Sequence, residues 1–373
     1  GRADETIQLS EKLEIRLLRS RGYQRNIGLA RLLDHASLAL NLRRRLRQES
    51  RLPDVAFIGY PPIETAHVLS RWMIRANVPV LLDVKDQWPL IFVAALTQQL
   101  RFLGPLVFWP YYYLARKTMR RVTGISAMAD GFLDWALEFC GKTRSDRDAV
   151  FPLTTPVGEV TESELESAGR WWDGEGVLND STQRLYFVGS FSSVFDFIPV
   201  QRAAQAAMAR NDNLQFVLCG DGAQIDQVIS LMRDLDNVKF PGWIDRPRIE
   251  SLASRCIASL APYKNTPDFI LSIPNKVVDS LALGLPVLSP LQGEVARLVE
   301  QEKVGLRSRE DATLEEGSLY RAIRMLGDAP SLQVSMSSNA RALYDARFSF
   351  TRVYGGLVNH LESLAASSNQ IRN

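Results

Sequence analysis

Along the chain, short runs rich in β-branched and aromatic residues alternate with longer stretches of helical periodicity. The first set is LEIRLLRS (13–20), DVAFIGY (54–60), VPVLLDV (78–84), RVTGIS (121–126) and DAVFPL (148–153). The second is RLYFVGS (184–190), LQFVLCG (214–220), NVKFPGW (237–243), ASLAPY (258–263) and PVLSP (286–290). Several of these runs are almost continuously apolar, as strands covered on both faces of a parallel sheet must be. The pattern predicts an α/β chain of two Rossmann-like parallel-sheet domains facing a cleft, where loops that follow strands meet ligands. Residues 157–183 are polar and acidic with two tryptophans and weak periodicity, and read as the interdomain segment. The expected division is 1–156 for the N-terminal domain, 184–345 for the C-terminal domain and 346–373 for a terminal amphipathic helix.

Length and composition agree with two domains: 373 residues, 46% hydrophobic and 23% charged, bury a large core. The longest apolar run, LGPLVFWPYYYLA (103–115), contains prolines and falls short of the roughly 20 residues that cross a bilayer. Cys140, Cys219 and Cys256 are far apart with no CxxC spacing, so neither a disulfide framework nor a zinc knuckle is indicated, and a reducing cytoplasm fits best. His35, His67 and His360 show no ligand spacing, so no metal site is expected, and His67 reads as structural.

Charge changes this picture, because the net +2 hides an asymmetry. Residues 1–155 hold 23 Lys and Arg against 15 Asp and Glu, and the remainder holds 21 against 27. NLRRRLR (41–47) and RKTMRR (116–121) supply much of the basic excess, the second directly after the aromatic run Phe108–Tyr113. Rings beside basic groups suit an anionic membrane surface, with a buried helix carrying a basic end as the alternative. No nucleic-acid motif accompanies the charge, so nucleic acid is not expected as a partner.

The richest stretch is SIPNKVVDSLALGLPVLSP (272–290). Pro274 favours a first helical turn, Ser272 and Asn275 are capping types, and Val277, Val278, Leu281 and Ala282 give a helical face that Gly284 and Pro286 end. This helix start follows a strand, so its amide dipoles and Lys276 suit a diphosphate. Asp279, on the same helix face, suits a ribose diol. A plain surface pair of Lys276 with Asp279 is the alternative, worth a few tenths of a kcal/mol. VLCGDGAQI (217–225) lacks the third glycine of a dinucleotide fingerprint, and its Gly220 and Gly222 read as tight turns.

SIPNKVVDSLALGLPVLSPLQGEVARLVEQEKVGL resembles the donor-binding core of retaining family 4 glycosyltransferases of the GT-B fold, in the bacterial polysaccharide and lipid-linked glycan branch with a PNK motif. LYFVGSFSSVFDF, LQFVLCGDG and VKFPGWIDRPRIESLASRCIASLAPY extend the resemblance. It implies that Asp279 binds the donor ribose, that Gly293 and Glu294 close over the donor sugar, and that Trp243 and Ile244 meet the base. Gly189, Ser190, Gly220, Ser272, Asn275 and Lys276 then complete the donor site. The chain departs from the family at Leu271, where a second Glu is usual, and at Ser190 and near Phe195 and Asp196, where basic residues hold the diphosphate. Arg255 and Lys264 are candidates to replace them.

In the first half, VLLDVKDQWPL resembles the family's acceptor-side strand and loop, with Lys85 in the place of a His and Asp86 matching the Asp. Asp86 suits orientation or deprotonation of an acceptor hydroxyl, and capping of the next helix is its alternative. DVAFIGYPPIETAHV puts Gly59 and Tyr60 on a neighbouring acceptor-side loop. The resemblance also implies that the terminal helix packs back on the N-terminal domain. Because the chain begins at Gly1 and its first plausible strand is Leu13–Ser20, that domain is expected to lack its initial strand.

The expected activity is retaining transfer of a sugar from a nucleoside diphosphate, a UDP-sugar first, to a glycan or lipid-linked acceptor. Lys276, Asp86 and Lys85 carry the chemistry, no cofactor is needed, and the site of action is cytoplasmic or peripheral on the inner membrane face. A nucleotide-sugar epimerase on the same fold and a non-catalytic nucleotide-sugar-binding partner of another transferase are the alternatives.

Overall fold

The computed structural model describes residues 4–23, 28–94, 96, 98–154, 158–308 and 317–372. Two compact units result, one of residues 1–151 with 356–373 and one of residues 152–355. In the first, β1 (Glu5–Ser10) and β2 (Leu13–Leu17) form an exposed antiparallel pair, joined to no other described strand. The run at 13–20 is therefore a hairpin arm and not a strand of the parallel sheet, and its Leu13 and Ile15 stay exposed.

The sheet of this unit is parallel, in the order β3 (Ala56–Tyr60), β4 (Val80–Val84), β5 (Gly124–Ala127) and β6 (Ala149–Val150). All five residues of β4 are buried, whereas β3 alternates buried and exposed positions because one of its faces is uncovered. Leu357, Leu361 and Leu364 of the terminal helix Phe350–Arg372 pack with Leu81, Val55 and Phe151, so the end of the chain returns to the first unit.

The second unit holds a six-stranded parallel sheet, ordered β12 (Gly305–Arg307), β11 (Val287–Ser289), β10 (Ala258–Leu260), β7 (Gln183–Val188), β8 (Leu214–Cys219) and β9 (Val238–Gly242). Alternation divides each central strand between two cores. Leu185, Phe187, Phe216 and Leu218 face one, and Tyr186, Val217 and Cys219 face the other. The chain runs outward from β7 through β8 and β9, then returns to β10 on the other side of β7. This reversal makes the carboxyl ends of β7 and β10 a topological switch point, where parallel sheets open a crevice.

The stretch read as an interdomain crossing differs from that reading. Its middle is the helix Glu162–Gly174, opened by a capping box of Thr161 and Glu164 and built into the second unit. Ala168 and Trp172, four apart, are buried, and the Trp172 indole N–H donates to the Arg248 carbonyl at 2.8 Å. Acidic residues on the outer face mask that short inward stripe in the sequence.

Candidate active site

Three glycines knit the carboxyl ends of β7, β8 and β9. Gly189 N–H donates to the Cys219 carbonyl at 3.0 Å, and Gly220 N–H to the Gly242 carbonyl at 2.7 Å. A Cβ on Gly220 would lie 1.9 Å from the Gly189 oxygen, and Gly220 has φ +131°. Only glycine permits this approach. The loops beyond are zipped in turn, with Phe191 N–H donating to Asp221 at 2.8 Å and Gln224 N–H to Phe191 at 3.0 Å. Gly242 leads into Trp243, whose ring is 73% exposed at this edge.

Lys276 reaches this knot from the helix Asn275–Ala282, which follows β10. Its ammonium donates to the Val188 carbonyl and lies over the rings of Phe187 and Phe195, 4.7 and 5.4 Å from their centroids. A Cβ on Gly189 would fall 1.5 Å from Nζ, so the glycine makes room for the lysine. Burial pushes the Lys276 pKa down to about 8, and the Asp279 carboxylate partly offsets it.

Lys276 and the exposed Asp279 line one cavity of about 210 Å³ together with Tyr186, Val188, Ser259, Leu260 and Ser280. Arg246 and Ile249, from the helix Arg246–Ala253, close its other side. The cavity lies at the switch point between β7 and β10, with a cation and a carboxylate one helical turn apart. That arrangement can hold an anion at one end and hydroxyls at the other.

Several expectations need correction. Pro274 stands at the N-cap with extended backbone, and no side chain caps this helix, so exposed Asn275 is its first residue and not its cap. The helix start is less open than expected: Val277 N–H turns back to the Pro274 carbonyl at 2.9 Å, and the Lys276 backbone is bonded to the Tyr263 hydroxyl. Ile244 is buried among Trp172, Val217 and Leu252, so its side chain is unavailable to a base and Trp243 alone presents a ring. Arg255 is likewise committed, to Asp173 at 2.6 Å and to the Gly169 carbonyl at 3.1 Å, and ties helix Glu162–Gly174 to its neighbour.

Ser190 is exposed on the loop after β7, and Lys264 Nζ reaches that loop at the Ser193 carbonyl, 2.8 Å away. Ser272 is buried just before the Lys276 helix. Gly293, at φ +65°, opens the helix Gly293–Glu302 beyond β11 and packs against the Ile270 carbonyl, while Glu294 pairs with Arg297 at 2.5 Å. Asn265 joins these loops, accepting from Gln292 N–H at 2.8 Å and donating to the Pro290 carbonyl at 3.1 Å. Neither Asn265 nor Arg246 was distinguished by the sequence, since both lie in loop or helix-start segments with no periodic signature.

In the first unit, Gly59 and Tyr60 belong to β3 itself and not to a loop. Tyr60 is buried with its hydroxyl donating to the Trp88 carbonyl at 2.7 Å, which makes it a core residue, while Gly59 is exposed. Lys85 and Asp86 follow β4. Lys85 Nζ is held by Asp83 at 3.1 Å, and the next helix begins only at Leu90, too far on for Asp86 to cap. His35 meets Glu64, Nδ1 to Oε2 at 3.9 Å, and packs on Trp88 with centroids 5.5 Å apart. Burial lowers the His35 pKa and raises that of Tyr111 beside Glu64. This cluster comes from three helices and a loop, so no sequence spacing reveals it.

Residues 182–326, which carry all six strands of the second sheet, match the family model described as glycosyl transferases group 1. No curated protein sequence matches the chain. Among solved structures, HepE of Anabaena in complex with UDP-glucose is 17% identical with a TM-score of 0.62, covering 91% of this chain and 84% of that one. Sucrose-phosphate synthase of Thermosynechococcus elongatus is 16% identical with a TM-score of 0.62, over 98% and 84%. A glycosyltransferase of Rickettsia africae is 11% identical with a TM-score of 0.64, over 93% and 85%. The chain has the GT-B fold, two Rossmann-like parallel-sheet units, and the family match across its second unit supports a glycosyltransferase.

Proposed function

We propose that the protein transfers a sugar from a nucleoside diphosphate, a UDP-sugar first, to a hydroxyl of a glycan or lipid-linked acceptor with retention at the anomeric carbon. The observation that carries this reading is the buried ammonium of Lys276, held on Val188 at the switch point with Asp279 one turn away in the same cavity. Lys276 meets the diphosphate, Asp279 takes the ribose diol, and Trp243 offers a ring to the base. HepE, bound to UDP-glucose, supports uridine as the base.

No side chain of the cavity serves as a nucleophile in this reading. The acceptor proton passes to the leaving phosphate oxygen on the sugar face that the acceptor attacks, and Lys276 stabilises the charge that develops there. Asp86 orients the acceptor hydroxyl, while Lys85 holds its place through Asp83. Gly293 and Glu294, at the end of β11, close over the donor sugar. The basic, aromatic surface of the first unit supports work at the inner face of a membrane, on a lipid-linked acceptor. Among the described residues no helix is long and apolar enough to cross a membrane.

A thermal-shift screen of nucleotide sugars tests the reading, because a ligand that favours the native state raises its melting temperature. UDP-sugars should stabilise the protein, and Asp279→Ala should abolish the shift; no stabilisation by any nucleotide sugar would sink the proposal.

A further inference from the structure

The first unit carries a second cavity, of about 430 Å³, between the C-terminal end of helix Leu29–Leu46 and helix Ile63–Arg75. Arg43, Arg47, Arg71 and Arg75 line it with His67 and Trp72, and no carboxylate is among its lining residues. Among the described residues none of these four guanidiniums makes a hydrogen bond or ion pair within the protein. Their neighbours behave otherwise: Arg44 donates to Asn41 at 3.1 Å, and Arg45 lies 3.9 Å from Glu49. Helix dipoles account for a basic residue or two at each helix end. They do not account for four like charges from two helices around one space.

A third helix connects this cavity to an apolar surface. His67 Nδ1 is 2.9 Å from Thr118 Oγ1 on helix Trp109–Arg121, and Lys117 and Arg121 of that helix act with Arg71 to lower the His67 pKa, which burial first depresses, to about 4. Trp109, Tyr113, Lys117 and Arg121 recur every four residues and so share one side of the helix. Lys117 donates to the Tyr113 hydroxyl at 2.8 Å. At the apolar end of this stripe, Leu106 is 71% and Trp109 60% exposed.

We propose that the arginine-lined cavity takes the phosphate headgroup of an anionic membrane lipid, with Leu106, Trp109 and Tyr113 bedded in the interface beside it. Charge complementarity selects a phosphate. The continuous stripe from bare apolar rings to cations selects a lipid as its source, since a soluble phosphate gives those rings nothing to cover them. The inference rests on the peripheral-membrane part of the proposed function and not on sugar transfer.

Co-sedimentation of the full chain with phosphatidylcholine vesicles, with and without phosphatidylglycerol and without nucleotide, tests it. Phosphatidylglycerol should strengthen binding about thirtyfold or more, and Arg71→Gln with Arg75→Gln should remove about thirtyfold, given about 1 kcal/mol per basic residue near such a surface. Arg44→Gln with Arg45→Gln, an equal charge loss off the cavity, should change binding by less than about threefold, because these guanidiniums already have partners in Asn41 and Glu49. All four side chains are exposed, and an unchanged melting temperature confirms that the variants fold. An absent phosphatidylglycerol preference, or equal loss in both double variants, overturns the proposal. Stabilisation by inorganic pyrophosphate that requires Arg71 and Arg75, with no vesicle binding, assigns the cavity to a soluble phosphate and overturns it too. Either failure leaves the transferase reading standing, because no sugar donor enters the test.

Discussion

Lys276 and Arg71 are both cations lining a cavity, yet their surroundings differ in almost every respect. Lys276 is largely buried, fixed on a backbone carbonyl and flanked by two phenylalanine rings, in a cavity of about 210 Å³. Arg71 is exposed and shares a space of about 430 Å³ with three more arginines. A preorganised single charge in a tight, partly apolar site discriminates one ligand geometry and keeps its strength against salt. A cluster of exposed charges gathers phosphates without regard to their orientation and weakens as ionic strength rises. The first arrangement suits chemistry on a bound donor, and the second suits attachment to a surface.

The sharpest way to break the rigid side of this comparison is through the glycines that build it. Gly220→Ala drives a methyl into the Gly189 carbonyl and should destabilise the second unit by about 2–3 kcal/mol, read as a fall of roughly 5–10 °C in melting temperature. Lys276→Ala should weaken nucleotide-sugar binding about tenfold to a hundredfold, the worth of a charged hydrogen bond, while the melting temperature stays nearly unchanged. Calorimetric titration with UDP-glucose separates the two effects. Gly189→Ala meets the flexible tip of Lys276 and also strains the backbone at φ +155°, so it should push the lysine off Val188, lower affinity about tenfold or less, and cost about 1–2 kcal/mol of stability.

A pH series sharpens the same point. With the free-enzyme pKa of Lys276 near 8, donor affinity should be flat below pH 7 and then decline above pH 8 by up to about tenfold per unit, until the raised pKa of the liganded lysine is passed. Arginine stays charged throughout this range, so vesicle binding should not follow that profile. The smallest expected effect is that of Arg71→Gln on nucleotide affinity, less than about twofold for a site that does not touch the donor.

Much of this was legible in the chain. The buried parallel strands announced themselves as unbroken apolar runs, and the turn from Pro274 to Asp279 gave the spacing that brings Lys276 and Asp279 into one cavity. What failed to show is long-range. Tyr60 reads as a loop residue because its burial depends on Trp88, twenty-eight positions later. Arg255 reads as a free cation because its carboxylate partner Asp173 lies on a helix that acidic residues disguised. The arginine-lined cavity needs two helices side by side, and NLRRRLR alone shows only half of it.

The claim on which the account turns is that the Lys276 ammonium grips a pyrophosphate while Asp279 grips a pentose, and a crystal structure with a bound UDP-sugar tests it most directly. The account predicts a diphosphate oxygen within hydrogen-bonding distance of Lys276 Nζ and both ribose hydroxyls on the Asp279 carboxylate. A nucleotide seated elsewhere, with Lys276 still on Val188 and nothing beside Asp279, would contradict it.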